Sequence, residues 1–447
     1  MRGLGAWDGT LLVIGSVVGT GIFLTTDEMA RALPHEGLLL LAWLAGGLLT
    51  LAGAFAYAEL GAMFPRAGGI YHFLAEAYGP LPAFLYGWCS FLVIFTGGIA
   101  AIAAGFAEYL GGFVQFASVD NRLLALELGG FAWRLSGVQV TAVAAILALT
   151  AVNWLGLRAG ATVSNLLTAI KVAAIAGFVV LAFAVPARAP LALAAPLPAA
   201  GLAAGFGVAL FTVLWSFDGW YGLTISAGEL RDPTRDLPRA LIWGTAACTG
   251  LYLLVHLVYF RALPLGELAA TSRPGEAAAG ALFGAGGGRL LAAAIVVSAF
   301  GCLASTVLYS ARVYLPMAQD GLFFAALGRV SPRHRTPGPS LWAQGAWASA
   351  LALTGTYEQL YTYVMFVVVL FHVATGSAVF VLRRRRPTAG RPYRAWGYPL
   401  VPALFVLGLL WLAANTAVER PIESLAGVGL LLAGLPAYGY WRSRRPD

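Results

Sequence analysis

The 447 residues are 60% hydrophobic and only 11% charged, with a mean hydropathy of +0.79. That leaves too little polar surface to clothe a water-soluble domain, so lipid is the expected solvent. A net charge of +8 could suggest nucleic acid in a soluble protein; here it reads as arginine retained on one side of a membrane, and no nucleic-acid partner is expected.

Apolar runs of about 20 residues cross a hydrocarbon core of roughly 30 Å, and about twelve fit between Gly9 and Trp441. They cover 9–29, 38–64, 81–112, 137–155, 162–185, 201–228, 238–262, 289–320, 340–356, 359–381, 399–417 and 422–441. The predicted fold class is an all-α polytopic membrane protein, a single transmembrane domain over 1–447. No small-residue cleavage site follows span 1, so it reads as a retained span and not a signal peptide. The longest outer loops are 113–136 and 263–288. Under this topology 19 arginines fall on the side of the termini and 8 on the other. The positive-inside rule then predicts both termini in the cytoplasm. The stretch Arg383–Pro399, RRRRPTAGRPYRAWGYP, reads as an interfacial anchor, with anionic lipid as the alternative partner.

Span 1 carries Gly15, Gly19 and Gly21 within seven residues, each a poor helix propagator by about 1 kcal/mol against alanine. Gly15 and Gly19 form GxxxG, so a close-packing face is one explanation. Span 6 supplies another. Its centre reads Trp215-Ser216-Phe217-Asp218-Gly219-Trp220, an aspartate and a glycine at membrane depth. Breaks at corresponding places five spans apart point to inverted repeats with a site at their interface. The repeats are expected at about 9–185 and 201–381, with two extra helices at 399–441. An unwound turn offers N–H groups to a carboxylate and carbonyls to an ammonium, the two poles of an α-amino acid.

Lys171 is the only lysine, and it lies in the middle of span 5. A charge at that depth costs roughly 2.5–3.5 kcal/mol unless it faces a partner inside the bundle. Two readings stand: snorkelling to an interface, or bonding to the opened carbonyls of span 1. Asp218 is either an N-cap for the second half of span 6 or a contact for the substrate ammonium, which would suit basic or long polar side chains. Trp215 is packing or a lid over the site, and Trp220 is packing. Glu59 and Glu229 are expected to pair with arginines.

Cys89, Cys248 and Cys302 are isolated, and the five histidines never fall three or four apart. Neither a disulfide framework nor a metal site is predicted, and no cofactor. The chain has no HExxH and no GxSxG, so an enzyme is not expected. A channel would need a ring of like charges or a carbonyl filter, and neither is apparent. A non-transporting amino-acid sensor would look the same in its helices.

Nearly the whole chain resembles the amino acid–polyamine–organocation (APC) superfamily, nearest the L-type amino-acid transporters and their bacterial relatives. The likeness rests on IGSVVGTGIF (14–23), ELGAMFPRAGGIYHFLAEAYGPLPAFLYGW (59–88), LLTAIK (166–171), WSFDGW (215–220), GELRDPTRDLPRA (228–240) and SARVYLPMAQDGLF (310–323). It implies ten core helices in a 5+5 inverted repeat of the LeuT-like kind, with discontinuous helices 1 and 6. It also implies sodium-independent amino-acid exchange, with proton-coupled symport, titrated at Lys171, as the alternative. Carried over by position, the substrate carboxylate meets N–H groups at Thr20 and Gly21, with Gly19 in the same turn. The amino group meets carbonyls at Val17, Trp215 and Asp218. Trp215 stands at the family's aromatic gate and Lys171 at its span-5 lysine, where related folds hold sodium. Asn165 matches a polar position near the site. Animal members join a heavy subunit through a cysteine between spans 3 and 4; loop 113–136 has none, so no disulfide-linked partner is expected. RPYRAWGYP (391–399) resembles prokaryotic members and implies a bacterial inner membrane.

Overall fold

The computed structural model describes residues 5–118, 120–128, 131–197, 201–334, 336–354 and 357–444. Arg2, Arg335 and Arg445, counted above on the side of the termini, lie outside the described residues. Ten helices among the described residues are long and apolar enough to cross a membrane. Spans 6 and 9 complete the expected twelve but are shorter. Leu202–Phe217 has 16 residues and Gly338–Ala352 has 15, which at 1.5 Å per residue is under the roughly 30 Å of a hydrocarbon core.

Helix ends follow local chemistry. His35 accepts a hydrogen bond from the amide of Leu38, 3.2 Å, at the start of Glu36–Met63. Asp232 accepts from the amide of Thr234, 3.1 Å, at the start of Pro233–Ala262. In both, a side chain satisfies a first-turn amide that has no partner within the helix. Pro80 opens span 3, where its missing N–H costs nothing.

Three features depart from a plain run of spans and loops. The loop 113–136 contains an antiparallel hairpin, Arg122–Leu128 paired with Phe131–Ser136. A short helix, Ile70–Tyr78, lies between spans 2 and 3. Span 8 belongs to a longer helical run, Pro274–Gln319, interrupted at Gly284, whose φ of 77° turns the first limb away.

The packing positions two helices at the centre. Span 2 lies along span 7, the first half of span 1 packs between spans 5 and 7, and span 8 packs against spans 3 and 5. Spans 11 and 12 sit outside this group, against spans 2, 3, 6 and 10. On the side of the termini, buried Glu59 takes Arg383 through two nitrogens, at 2.9 and 2.6 Å, and the Ala395 amide at 2.7 Å. Glu229 pairs with Arg312 at 2.9 Å. Both glutamates therefore have arginine partners, as expected.

Candidate functional site

Span 1 is helical over Ala6–Val17 and again from Gly21, with residues 18–20 outside the helix. Span 6 leaves the helix after Phe217 and resumes at Gly222. Asp218 is extended at φ −56°, ψ 147°, and Gly219 has φ +97°, a conformation open to glycine. The two breaks touch through their backbones. A Cβ on Gly21 would lie 2.8 Å from the Cα of Ser216, and one on Gly219 would lie 2.9 Å from the carbonyl oxygen of Ser16. Any side chain at either glycine would force the breaks apart.

Opening span 1 removes helical donors from its carbonyls, and buried carbonyls need replacements. All four from Gly15 to Val18 have one. The Lys171 ammonium, fully buried, donates to Gly15 at 2.5 Å and to Val18 at 2.6 Å. The Cys302 thiol donates to Ser16 at 3.3 Å. The Tyr252 hydroxyl lies 3.0 Å from the carbonyls of both Val17 and Ser216, spanning the two breaks. Ser298 reaches Val18 at 3.4 Å. Spans 5, 7 and 8 thus brace one unwound turn. A lysine that faces two backbone carbonyls inside the bundle does not snorkel.

Beside the braced turn is a pocket. Span 1 lines it with Ser16, Val17, Gly19, Thr20 and Gly21, and span 6 with Trp215, Ser216 and Asp218. Span 3 contributes Ile94, Phe95, Gly98 and Ile102, and span 8 contributes Cys302, Thr306 and Tyr309. The new helix begins at Gly21, so its first amides precede any carbonyl of that helix able to accept them. One oxygen of Asp218, Oδ1, is buried without a hydrogen-bond donor among the described residues. Asp218 closes the first half of span 6, whereas Tyr221 stands at the N-cap of the second, so its N-cap reading is not the arrangement found. Trp215 is 6% exposed and stacks on Tyr361 at 5.4 Å and 23°. Tyr361 in turn donates to Glu28, which also bonds Arg420. Trp220 packs against Tyr57 and His372, at 4.6 and 5.6 Å between centroids.

Of the residues singled out in the sequence, Val17, Gly19, Thr20, Gly21, Trp215 and Asp218 line this one pocket. Lys171 stands behind it, on the carbonyls. Asn165 does not join them; it lines a neighbouring cavity with Ser16, Glu229 and Tyr309. Sequence reasoning missed Tyr252, Ser298, Cys302, Thr306 and Tyr309. Their one sequence signal is a polar or sulfur atom within an apolar run, which many packing residues share.

The family model described as amino acid permease matches residues 4–427. The serine/threonine exchanger SteT of Bacillus subtilis (strain 168) is 31% identical over 97% of this chain and 95% of its own. The human b(0,+)-type amino acid transporter 1 is 30% identical, covering 97% and 87%. The branched-chain amino acid permease BcaP of Bacillus subtilis (strain 168) is 26% identical, covering 98% and 92%. With a match over nearly its whole length and membrane-length helices around two broken ones, the chain belongs to the amino acid permease family of multi-pass membrane transporters, which are not enzymes.

Proposed function

We propose that this transporter exchanges amino acids across the membrane without sodium, by alternating access around the paired breaks. The observation that carries this reading is the Lys171 ammonium on the carbonyls of Gly15 and Val18. A covalently tethered cation already satisfies the opened turn, so no dissolved cation is needed to hold it.

In this reading the substrate carboxylate binds amides of Thr20 and Gly21, with Gly19 in the same turn. Its ammonium binds carbonyls of Val17, Trp215 and Asp218, and Trp215 covers it from one side. The Tyr252 bond to Val17 leaves that carbonyl a second lone pair. The Asp218 carboxyl group adds an unmet acceptor, Oδ1, to the pocket wall, which favours basic or long polar side chains. The exchange reading gains support from a serine/threonine exchanger that is 31% identical.

The two repeats run over about 9–185 and 201–381. Both termini face the cytoplasm of a bacterial inner membrane, from the arginine asymmetry. The transporter works without a disulfide-linked subunit, consistent with Cys89, Cys248 and Cys302 all being buried.

Proteoliposomes and a radiolabelled amino acid test the central part. Uptake should require amino acid inside the vesicle and continue when sodium is replaced by choline. Uptake into empty vesicles driven by an imposed pH gradient would replace exchange with proton symport.

A further inference from the structure

A second, mostly apolar cavity lies one layer from the pocket, toward the side of the membrane that carries the termini. Its walls come from the terminus-side half of span 1, the second half of span 6, and spans 5 and 8. Ser16 and Tyr309 line both cavities and form the partition between them. At its far end Glu229 is bonded to Arg312 at 2.9 Å.

The few polar atoms in its wall match the two charges of a zwitterion. Asn165 Oδ1 is buried with no donor among the described residues, an arrangement that costs free energy unless a donor arrives. The Glu229 carboxylate lines the same space and keeps lone pairs beyond its one arginine bond. Both are acceptors suited to an ammonium. The hydroxyls of Ser226 and Tyr309 supply donors for a carboxylate, and Leu12, Leu223 and Leu308 offer an apolar wall to a side chain.

Resting on the transport reading above, we propose that this cavity is a second amino-acid station, occupied between the central pocket and the terminus-side solution, with Asn165 and Glu229 receiving the ammonium. The station explains why a side chain that lines no part of the central pocket still keeps an unmet acceptor. It also makes the transporter asymmetric, because substrate from the terminus side meets Asn165 first and substrate from the other side does not.

The test is exchange in proteoliposomes of fixed orientation, with KM measured for an amino acid offered from each side. Asn165→Ala should raise the ratio of terminus-side KM to opposite-side KM about ten-fold, the effect of losing one hydrogen bond to a charged group. Asn165→Asp, which keeps an acceptor, should restore the wild-type ratio. Ser226→Ala, a milder change read beside it, should shift the ratio in the same direction. An unchanged ratio in Asn165→Ala, whether both KM values move together or neither moves, overturns the station while leaving exchange intact. If the wild-type protein carries no amino acid at all, the transport reading itself fails and the station with it.

Discussion

The indole of Trp215 stacks on the ring of Tyr361, with centroids 5.4 Å apart and planes 23° from parallel. Span 6 is thereby joined to span 10 at one wall of the pocket. Tyr361 passes the contact on to Glu28 of span 1, and Arg420, beyond span 11, holds both Glu28 and Thr362, the latter at 2.6 Å. Aromatic stacking contributes about 0.5–1.5 kcal/mol beyond area burial. Trp215→Ala should therefore cut exchange at least several-fold, with Trp215→Phe in between. Initial rates of labelled uptake at equal protein content check this, and a full rate in Trp215→Ala would remove the gate.

Gly21 is where a side chain cannot fit. Its Cβ would meet Ser216 Oγ at 2.7 Å and Ser216 Cα at 2.8 Å, and the second of these is backbone. Gly21→Val should abolish substrate binding while the protein still inserts. Thermal shift of the purified variant against the twenty amino acids reads this directly. A shift equal to that of the wild type would mean that the first break serves packing alone.

Tyr252 joins the breaks through one hydroxyl, 3.0 Å from the carbonyls of Val17 and Ser216. Tyr252→Phe keeps the ring and removes the one O–H proton that the Val17 and Ser216 carbonyls share. The expected loss is about 1–3 kcal/mol of whatever state needs both breaks closed together. Steady-state exchange should fall roughly ten-fold at unchanged expression, and wild-type kinetics would show the bridge to be idle.

These partners explain where sequence reading stops. Each span announces itself as an apolar run, and both breaks announce themselves through glycine, because lipid solvation and backbone freedom are local properties. The brace is not local: 235 residues separate Tyr252 from Val17, and 286 separate Cys302 from Ser16. Lys171 was legible because a lone lysine at membrane depth needs a partner. Asn165 was misplaced by helix geometry. It lies six residues from Lys171, about 9 Å along the axis and on a different face, so sharing span 5 does not put both at one pocket. The hairpin at 122–136 was hidden by strands too short to show more than a few alternating residues.

Glu59 is 1% exposed and bonds the Arg383 guanidinium twice. Removing one partner of a buried pair is strongly destabilising, by about 3–5 kcal/mol. Arg383→Ala should fall toward the low end, because the Ala395 amide and the Arg391 guanidinium, at 3.4 Å, still reach the carboxylate. Replacing both partners, as Glu59→Gln with Arg383→Ala, should recover part of the loss. Detergent-solubilised melting temperatures of the two single variants and the double variant form the cycle; strict additivity would mean the pair is uncoupled.

Lys171 holds the unwound turn of span 1 through the carbonyls of Gly15 and Val18. The decisive measurement is exchange by Lys171→Ala reconstituted at wild-type density, with insertion verified. Exchange is predicted to be lost or reduced at least a hundred-fold, as expected when buried carbonyls lose a charged donor of roughly 1.5–3 kcal/mol per bond. Near-normal exchange would contradict it, and the two broken helices would then need another explanation.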